Sequence, residues 1–229
     1  MKLSSETLSV LKNFGNINQG IYFKKGKTLK TVSSHKNILA EVNIQEDIPT
    51  NFGIYDLNEF LSVVSLHKDD PSFEFGDKQV LIVGNKGRSK LEYRFCEPTM
   101  IVTPPEKEFA MPESEIKFEL TAEDFDWILR AASVLSSPHI SVESGSDGKK
   151  INIVTLDLQN DAAHKDALEV AEGNGDKFKM IFKTENISKV LPGSYEVSIS
   201  SKGVSHFKNK NVPLQYYIST ESGSKFETK

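Results

Sequence analysis

The sequence carries one arrangement of helices twice, once in each half. Residues 3–11 and residues 120–128 correspond position for position, because in each a hydroxyl-bearing cap precedes apolar residues at helical spacing. Residues 54–64 and residues 181–191 share a second apolar pattern with helical spacing. Two copies of one folding unit can be arranged around an axis, and a closed ring is one outcome of such an arrangement.

The length and composition predict a folded protein of one large or two modest domains. Hydrophobic residues make up 38% of the 229-residue chain and charged residues 26%, so the chain can bury a core and is not expected to be disordered. No apolar run reaches the length of a membrane span. Residues 1–6 include an acid and lack the apolar core of a signal peptide, which predicts native structure there and a cytoplasmic protein.

The sequence offers no motif for catalysis or for a cofactor. Cys96 is the only cysteine, which excludes a disulfide within the chain, and its neighbours favour a half-buried strand residue over a nucleophile. Asp69 and Asp70 precede a proline, where a solvated turn is favoured over a magnesium site. We therefore predict that the protein is not an enzyme and holds no cofactor or metal. An enzyme whose catalytic groups converge from distant positions remains an alternative.

The net charge limits how this chain could bind nucleic acid. It is −4 at pH 7, with an isoelectric point of about 5.8. An ordinary DNA-binding protein needs a basic surface, because neutralising phosphates supplies most of its affinity. Either the protein does not contact nucleic acid, or it contacts it weakly and holds it by other means.

The apolar pattern predicts helix, strands, helix and strands in each half. The helices are expected at residues 5–14, 56–66, 121–137 and 184–191, with Gly15 ending the first and Pro138 the third. Alternating strands between them predict antiparallel sheets, each with one face covered by helices. We predict an α+β fold of two similar domains, residues 1–103 and 116–229. Three prolines predict an extended connector at residues 104–115.

Basic side chains lie on or beside each predicted helix, whereas the acids are expected to gather in connectors and loops. A lysine on a helix surface is commonly just solvated, and that alternative stays open. The basic residues concerned are Lys2, Lys12, Lys68, Arg130, Lys183 and Lys189.

Ordered identities to a known family run through most of the chain. They include residues 1–4, 11–14, 54–58, 60–61, 122–124, 129–130 and 192–195. Together with the internal duplication, these segments resemble the sliding clamps of T4-type bacteriophages, the processivity factors of the phage DNA polymerase. The resemblance is weak at residues 72–100 and 159–175, and residues 225–229 replace the acidic ending of the family.

The resemblance implies a DNA-clamp fold and a head-to-tail homotrimer. Six similar domains would form a ring, with the helices lining the hole and the sheets forming the outer wall. Double-stranded DNA would be encircled without readout of its sequence, and the six basic residues named above are the candidates to face it.

The resemblance also implies protein partners. The replicative DNA polymerase would dock a short tail in an apolar pocket, an ATP-dependent clamp loader would open the ring, and transcription factors would use the clamp in late transcription. Phe109 and Met111 are predicted to lie beside the pocket, or alternatively to fill the joint between the domains. The protein would act in the cytoplasm of the infected bacterial host, with no membrane partner. The alternative function is a trimeric β-rich structural or binding module of a virus with no DNA role.

Overall fold

The structure, a computed structural model, describes residues 1–67 and 71–227. The chain divides into two compact units, Met1–Lys107 and Glu108–Lys229, called here unit 1 and unit 2. The predicted domain limits at residues 103 and 116 stay a prediction. Lys68 and the turn expected at Asp69 and Asp70 lie outside the described residues.

Unit 1 combines two helices with short antiparallel strand groups in its described part. Strands β2 and β3 form a hairpin, β1 pairs with β4, and β5, β6 and β7 form a meander in which β7 is the last strand. In chain order the elements are α1 (Ser5–Ile17), β1 (Ile21–Phe23), β2 (Gly26–Val32), β3 (Ile38–Ile48), β4 (Phe52–Ile54), α2 (Leu57–Ser65), β5 (Ser72–Phe75), β6 (Gln79–Gly84) and β7 (Ser89–Arg94).

Unit 2 is likewise built from two helices and antiparallel strands in its described part. Strands pair in the order β11-β10-β9-β12-β16, with β11 at the end, and a second group pairs in the order β15-β14-β13-β8. The elements are β8 (Ile116–Leu120), α3 (Ala122–Val134), β9 (His139–Ser144), β10 (Lys150–Leu156), β11 (Ala167–Glu172), β12 (Lys177–Lys183), α4 (Thr184–Ile187), β13 (Tyr195–Ser200), β14 (Val204–Asn209), β15 (Leu214–Ser219) and β16 (Lys225–Glu227).

Antiparallel sheets with few helices confirm the predicted α+β fold. The strand pairs within both units are antiparallel, and their burial alternates, as in β8 and in β15. Each unit buries an apolar stripe of its first helix. In α3 that stripe is Phe125, Ile128 and Ala132, while Leu129 and Leu135 are half-buried.

A carboxylate holds the start of α1 against strand β3. Ser4 caps the helix by accepting a hydrogen bond from the Thr7 backbone N–H at 3.2 Å. Glu46, on β3, accepts the Ser4 backbone N–H and the Thr7 hydroxyl, the latter at 2.7 Å. Partial burial acts to raise the pKa of Glu46, but the hydrogen bonds from Thr7 and Ser4 outweigh it, so that pKa lies below its usual value.

Gly15 does not end the first helix, contrary to the prediction. Helix α1 continues to Ile17, and Gly15 is buried against α2. A Cβ atom on Gly15 would lie 2.6 Å from the Asn58 side-chain oxygen, so the glycine permits close approach of the two helices. The helix ends instead at Asn18, whose backbone N–H donates to the Phe14 carbonyl.

The fourth helix is much shorter than predicted, because α4 covers only Thr184–Ile187. The residues after α4 form turns. The Lys189 N–H donates to the Asn186 carbonyl, and the Val190 N–H donates to the Ile187 carbonyl. The alternation of apolar residues also predicts a strand at residues 100–103, where the structure has none, and it gives no signal for β16.

Candidate nucleic-acid interface

The two candidate DNA-facing residues of unit 1 that the structure describes, Lys2 and Lys12, are exposed. Lys12 projects from α1 on the side away from the buried Val10, Leu11 and Phe14, and Lys2 precedes the helix. The residue four positions before Lys12 is Leu8, so Lys12 has no carboxylate there with which to form an ion pair along the helix. Lys12 therefore presents its charge to solvent.

In unit 2, two of the candidate cations are paired with acids on the same segment of chain. Arg130, on α3, lies 2.9 Å from Asp126, and its side chain is 67% exposed. Lys189 lies 3.1 Å from Glu185, which is on α4. The prediction that placed Lys189 within the fourth helix was wrong, and Lys183 lies directly before α4. Lys183 is the exposed last residue of β12, and Lys189 follows α4 in a turn.

The expectation that acids avoid the helices was also wrong. Helices α1 to α4 contain six acidic residues and two basic ones. Most of these acids lie in the first turn, where a negative charge is favourable beside the exposed N–H groups of a helix start. The acids are Glu6, Glu59, Glu123, Asp124, Asp126 and Glu185.

The acids at the start of α2 accept hydrogen bonds from other residues of unit 1. Asp56 caps the helix by accepting the Glu59 N–H at 2.8 Å and also accepts the Gln19 amide at 3.1 Å. These two hydrogen bonds, the Glu59 one first, hold the pKa of Asp56 below its usual value. The Tyr93 hydroxyl on β7 donates to the Glu59 carboxylate at 3.0 Å. The helices thus have no excess of positive charge with which to bind phosphates tightly.

A half-exposed tryptophan lies on the same helix as Arg130. Trp127, the only tryptophan of the sequence, is 52% exposed. Its indole N–H donates to the Asp166 carboxylate at 3.1 Å. Val134, two turns further along α3, is also exposed. One face of α3 therefore combines an aromatic ring, a paired guanidinium and an aliphatic side chain.

Phe109 packs at an interplanar angle of 56° against a stacked pair of aromatic rings in unit 2, and the three rings together are called here the Phe109 stack. It is 44% exposed, and its ring centroid lies 4.8 Å from that of Tyr217. The Tyr217 ring stacks on His206 at 4.7 Å, and His206 Nε2 lies 2.9 Å from the Gln215 amide oxygen. Burial lowers the pKa of His206, against the opposing effect of the Gln215 hydrogen bond.

Sequence reasoning missed Tyr217 and His206, although a signal was present. The two residues are register partners on β14 and β15, and the alternation of each strand places them on one side of the sheet. Met111, the other predicted pocket residue, is half-buried.

Unit 1 contains an open cleft of about 620 Å³ at the end of β7. Phe52 and Phe95 line it with ring centroids 4.7 Å apart, and Lys78 and Arg94 lie at its edge. Cys96 in this cleft is half-buried, and burial raises the pKa of its thiol, which makes it a weak nucleophile at neutral pH. Within residues 1–67 and 71–227, no three His, Cys, Asp or Glu side chains are grouped to hold a metal ion. The described helices include none long and apolar enough to cross a membrane.

Solved structures identify the class of fold. A structure of the C-terminal region of FEN-1 bound to A. fulgidus PCNA superimposes on 95% of this chain and 96% of that one, with a TM-score of 0.67 at 15% identity. At that identity the likeness defines the fold alone, which is that of a DNA clamp.

Sequence comparison identifies the family. Residues 4–103 match the family described as DNA polymerase processivity factor, and residues 117–222 match the gp45 sliding clamp C-terminal family. The chain is 31% identical to the sliding clamp of Vibrio phage KVP40 over 97% of this chain and 100% of the relative. It is 31% identical to the sliding clamp of Enterobacteria phage T4 over 89% of each chain. The protein therefore belongs to the sliding clamp family of T4-type phages, as the sequence resemblance indicated, and is a processivity factor of phage DNA replication.

Proposed function

We propose that three copies of the chain close head to tail around double-stranded DNA and tether the replicative polymerase to it. An ATP-dependent loader opens the ring, and the loaded clamp also serves transcription factors in late transcription. The protein is not an enzyme, and it acts in the cytoplasm of the infected host. The observation that carries this proposal is the family match along nearly the whole chain.

The charge distribution supports encirclement rather than affinity. The helices carry more acids than bases, and the chain has a net charge of −4. Binding by phosphate neutralisation would need the opposite balance and would resist sliding. A closed ring needs no such affinity, because its hold on the duplex is mechanical. Lys2, Lys12, Lys68, Arg130, Lys183 and Lys189 are our proposed DNA-facing residues.

Two terminal strands suit the contact between subunits. Strand β7 ends the meander of unit 1 and exposes Lys90, Glu92 and Arg94, while β11 ends its sheet in unit 2 and exposes Glu172 and Glu169, the latter paired with Lys150. Terminal strands expose backbone hydrogen-bonding groups that a second chain can pair with. Because the two edges differ, pairing them joins copies head to tail, as a closed ring requires.

The cleft beside Phe95 adds an apolar component to this contact. It lies at the end of β7, and the half-buried Leu168 and Val170 of β11 are of a size to enter it from a neighbouring copy. Burial of apolar side chains against Phe52 and Phe95 would make a favourable contribution to the free energy of association.

The polymerase tail is proposed to dock beside the Phe109, Tyr217 and His206 stack, with Met111 nearby. An exposed aromatic ring packed against strand residues offers a large apolar contact at low entropic cost. The A. fulgidus clamp binds the C-terminal region of FEN-1, which shows that a clamp of this fold accepts a terminal peptide.

The test is topological. Loader and ATP should deposit the protein on closed circular DNA, and cutting the circle should release it. A solution mass of about three chain masses should accompany this. Equal retention on open linear DNA without blocked ends would refute encirclement. A trimer that never associates with DNA and does not stimulate the polymerase would favour the alternative, a structural module.

A further inference from the structure

The two paired cations of unit 2 share one geometry. In each pair the acid precedes the base by four residues: Asp126 with Arg130 at 2.9 Å, and Glu185 with Lys189 at 3.1 Å. Both carboxylates are exposed, and so is Arg130, whereas the Lys189 side chain is half-buried at 24% exposure. Both positions therefore present a positive and a negative group side by side, with little net charge.

Lys12 of unit 1 differs in this respect. The residues three and four positions before and after it are Ser9, Leu8, Gly15 and Asn16. None of these carries a charge, so no acid at helical spacing shares the solvent face with Lys12. The two repeats thus pair their cations differently although their folds are alike.

We infer that Asp126 and Glu185 are positioning residues that limit how strongly Arg130 and Lys189 can hold a passing phosphate. This inference rests on the proposed function, since it requires these side chains to face the duplex. An exposed ion pair is weak, so a phosphate can displace the carboxylate. The displaced carboxylate stays within reach, repels the phosphate and recaptures the cation. Each contact is therefore brief, and the clamp slides.

The effect can be estimated from the dependence of DNA binding on salt. Each neutralised phosphate changes the slope of log affinity against log salt by about 0.9. Freeing Arg130 in three subunits adds up to three contacts. Halving the salt concentration should then strengthen the hold of D126N on DNA by up to about sixfold more than that of the natural protein.

The experiment compares D126N and E185Q with E196Q as the matched control. Glu196 pairs with Lys208 at 3.8 Å on the exposed surface of β13 and β14, so E196Q makes the same change of charge away from the helices. The loaded clamps are followed as they diffuse along circular DNA over a range of salt. D126N and E185Q should diffuse several-fold more slowly at low salt and match the natural protein at high salt, while E196Q should not slow. D126E, which keeps the carboxylate, should restore fast sliding.

The outcomes separate this inference from the proposed function. Unchanged diffusion in D126N and E185Q, or equal slowing in E196Q, overturns the inference while circle-dependent retention leaves the proposed function intact. Failure of the natural protein to be retained on circles defeats the proposed function itself. Melting temperatures within about 2 °C of the natural protein show that the variants are folded, since an exposed pair contributes little stability. Should D126N not assemble, E185Q tests the same idea at the second pair.

Discussion

Removing the carboxylate that holds the start of α1 should destabilise unit 1. The change is Glu46→Ala. Glu46 accepts hydrogen bonds from the Ser4 N–H and from the hydroxyl of Thr7, which is itself buried. A hydrogen bond to a charged group contributes about 1.5–3 kcal/mol, and water can replace the partner of Ser4, so we expect a total loss of about 2–3 kcal/mol. That corresponds to a fall in melting temperature of roughly 5–10 °C for a chain of this size.

The loss should depend on pH in a defined direction. The pKa of Glu46 is lowered in the folded protein from a reference value of 4.5. Its contribution to stability is therefore fully present above about pH 4.5 and disappears as the pH falls through the lower folded value. The difference between Glu46→Ala and the natural protein should be largest near pH 7 and should shrink below pH 4.

Urea unfolding at pH 7 and at about pH 3, at one fixed protein concentration, measures both effects. Glu41→Ala is the control, because Glu41 lies on the same strand and pairs with Lys30 across the sheet at 3.0 Å. It should cost less than about 1 kcal/mol. A double-mutant cycle with Thr7→Val should give a coupling energy of about 1 kcal/mol or more. A loss below about 0.5 kcal/mol in Glu46→Ala would refute the argument.

Three further predictions concern packing, DNA and partner binding. Gly84→Ala should lower stability by about 1–3 kcal/mol in thermal unfolding, because the new Cβ would lie 2.2 Å from His67 Nδ1. Lys12→Glu combined with Arg130→Glu should reduce loader-dependent loading onto circular DNA at low salt by at least about tenfold while the trimer remains intact. Tyr217→Ala should weaken binding of a peptide copied from the polymerase tail by about tenfold or more in a fluorescence titration, since it removes the middle ring of the stack.

Matched changes serve as controls for these three. Gly76→Ala meets nothing closer than 3.4 Å and should change stability by no more than about 0.5 kcal/mol. Leu158→Ala, exposed elsewhere in unit 2, should leave peptide affinity unchanged. If the Lys12 and Arg130 reversals dissociate the trimer instead, those side chains belong to a subunit contact and not to the hole.

The elements that local patterns specify strongly were predictable. The caps Ser4, Asp56 and Thr121 each accept a hydrogen bond from a backbone N–H three residues later, as the sequence indicated. The alternation of buried and exposed residues along strands such as β8 could also be predicted from the sequence. These features depend on neighbours in sequence, so the sequence alone contains the information.

Features that depend on distant partners could not be predicted. Gly15 is in a helix because Asn58, more than forty residues away, packs against it. The three rings of the Phe109 stack come from a connector and two strands. The predicted fourth helix was too long, because the helical spacing of apolar residues continues through Val190. In the structure Val190 is buried by tertiary packing although it is not in a helix.

Trp127 has a practical consequence for experiments on this clamp. It is the only indole in the chain, it is half-exposed, and it shares a helix face with Arg130. If that face lines the hole, arrival of the duplex will alter the polarity around the ring and quench or shift its emission. The time course of threading could then be followed by stopped-flow fluorescence with no attached dye, and Trp127→Phe would supply the blank.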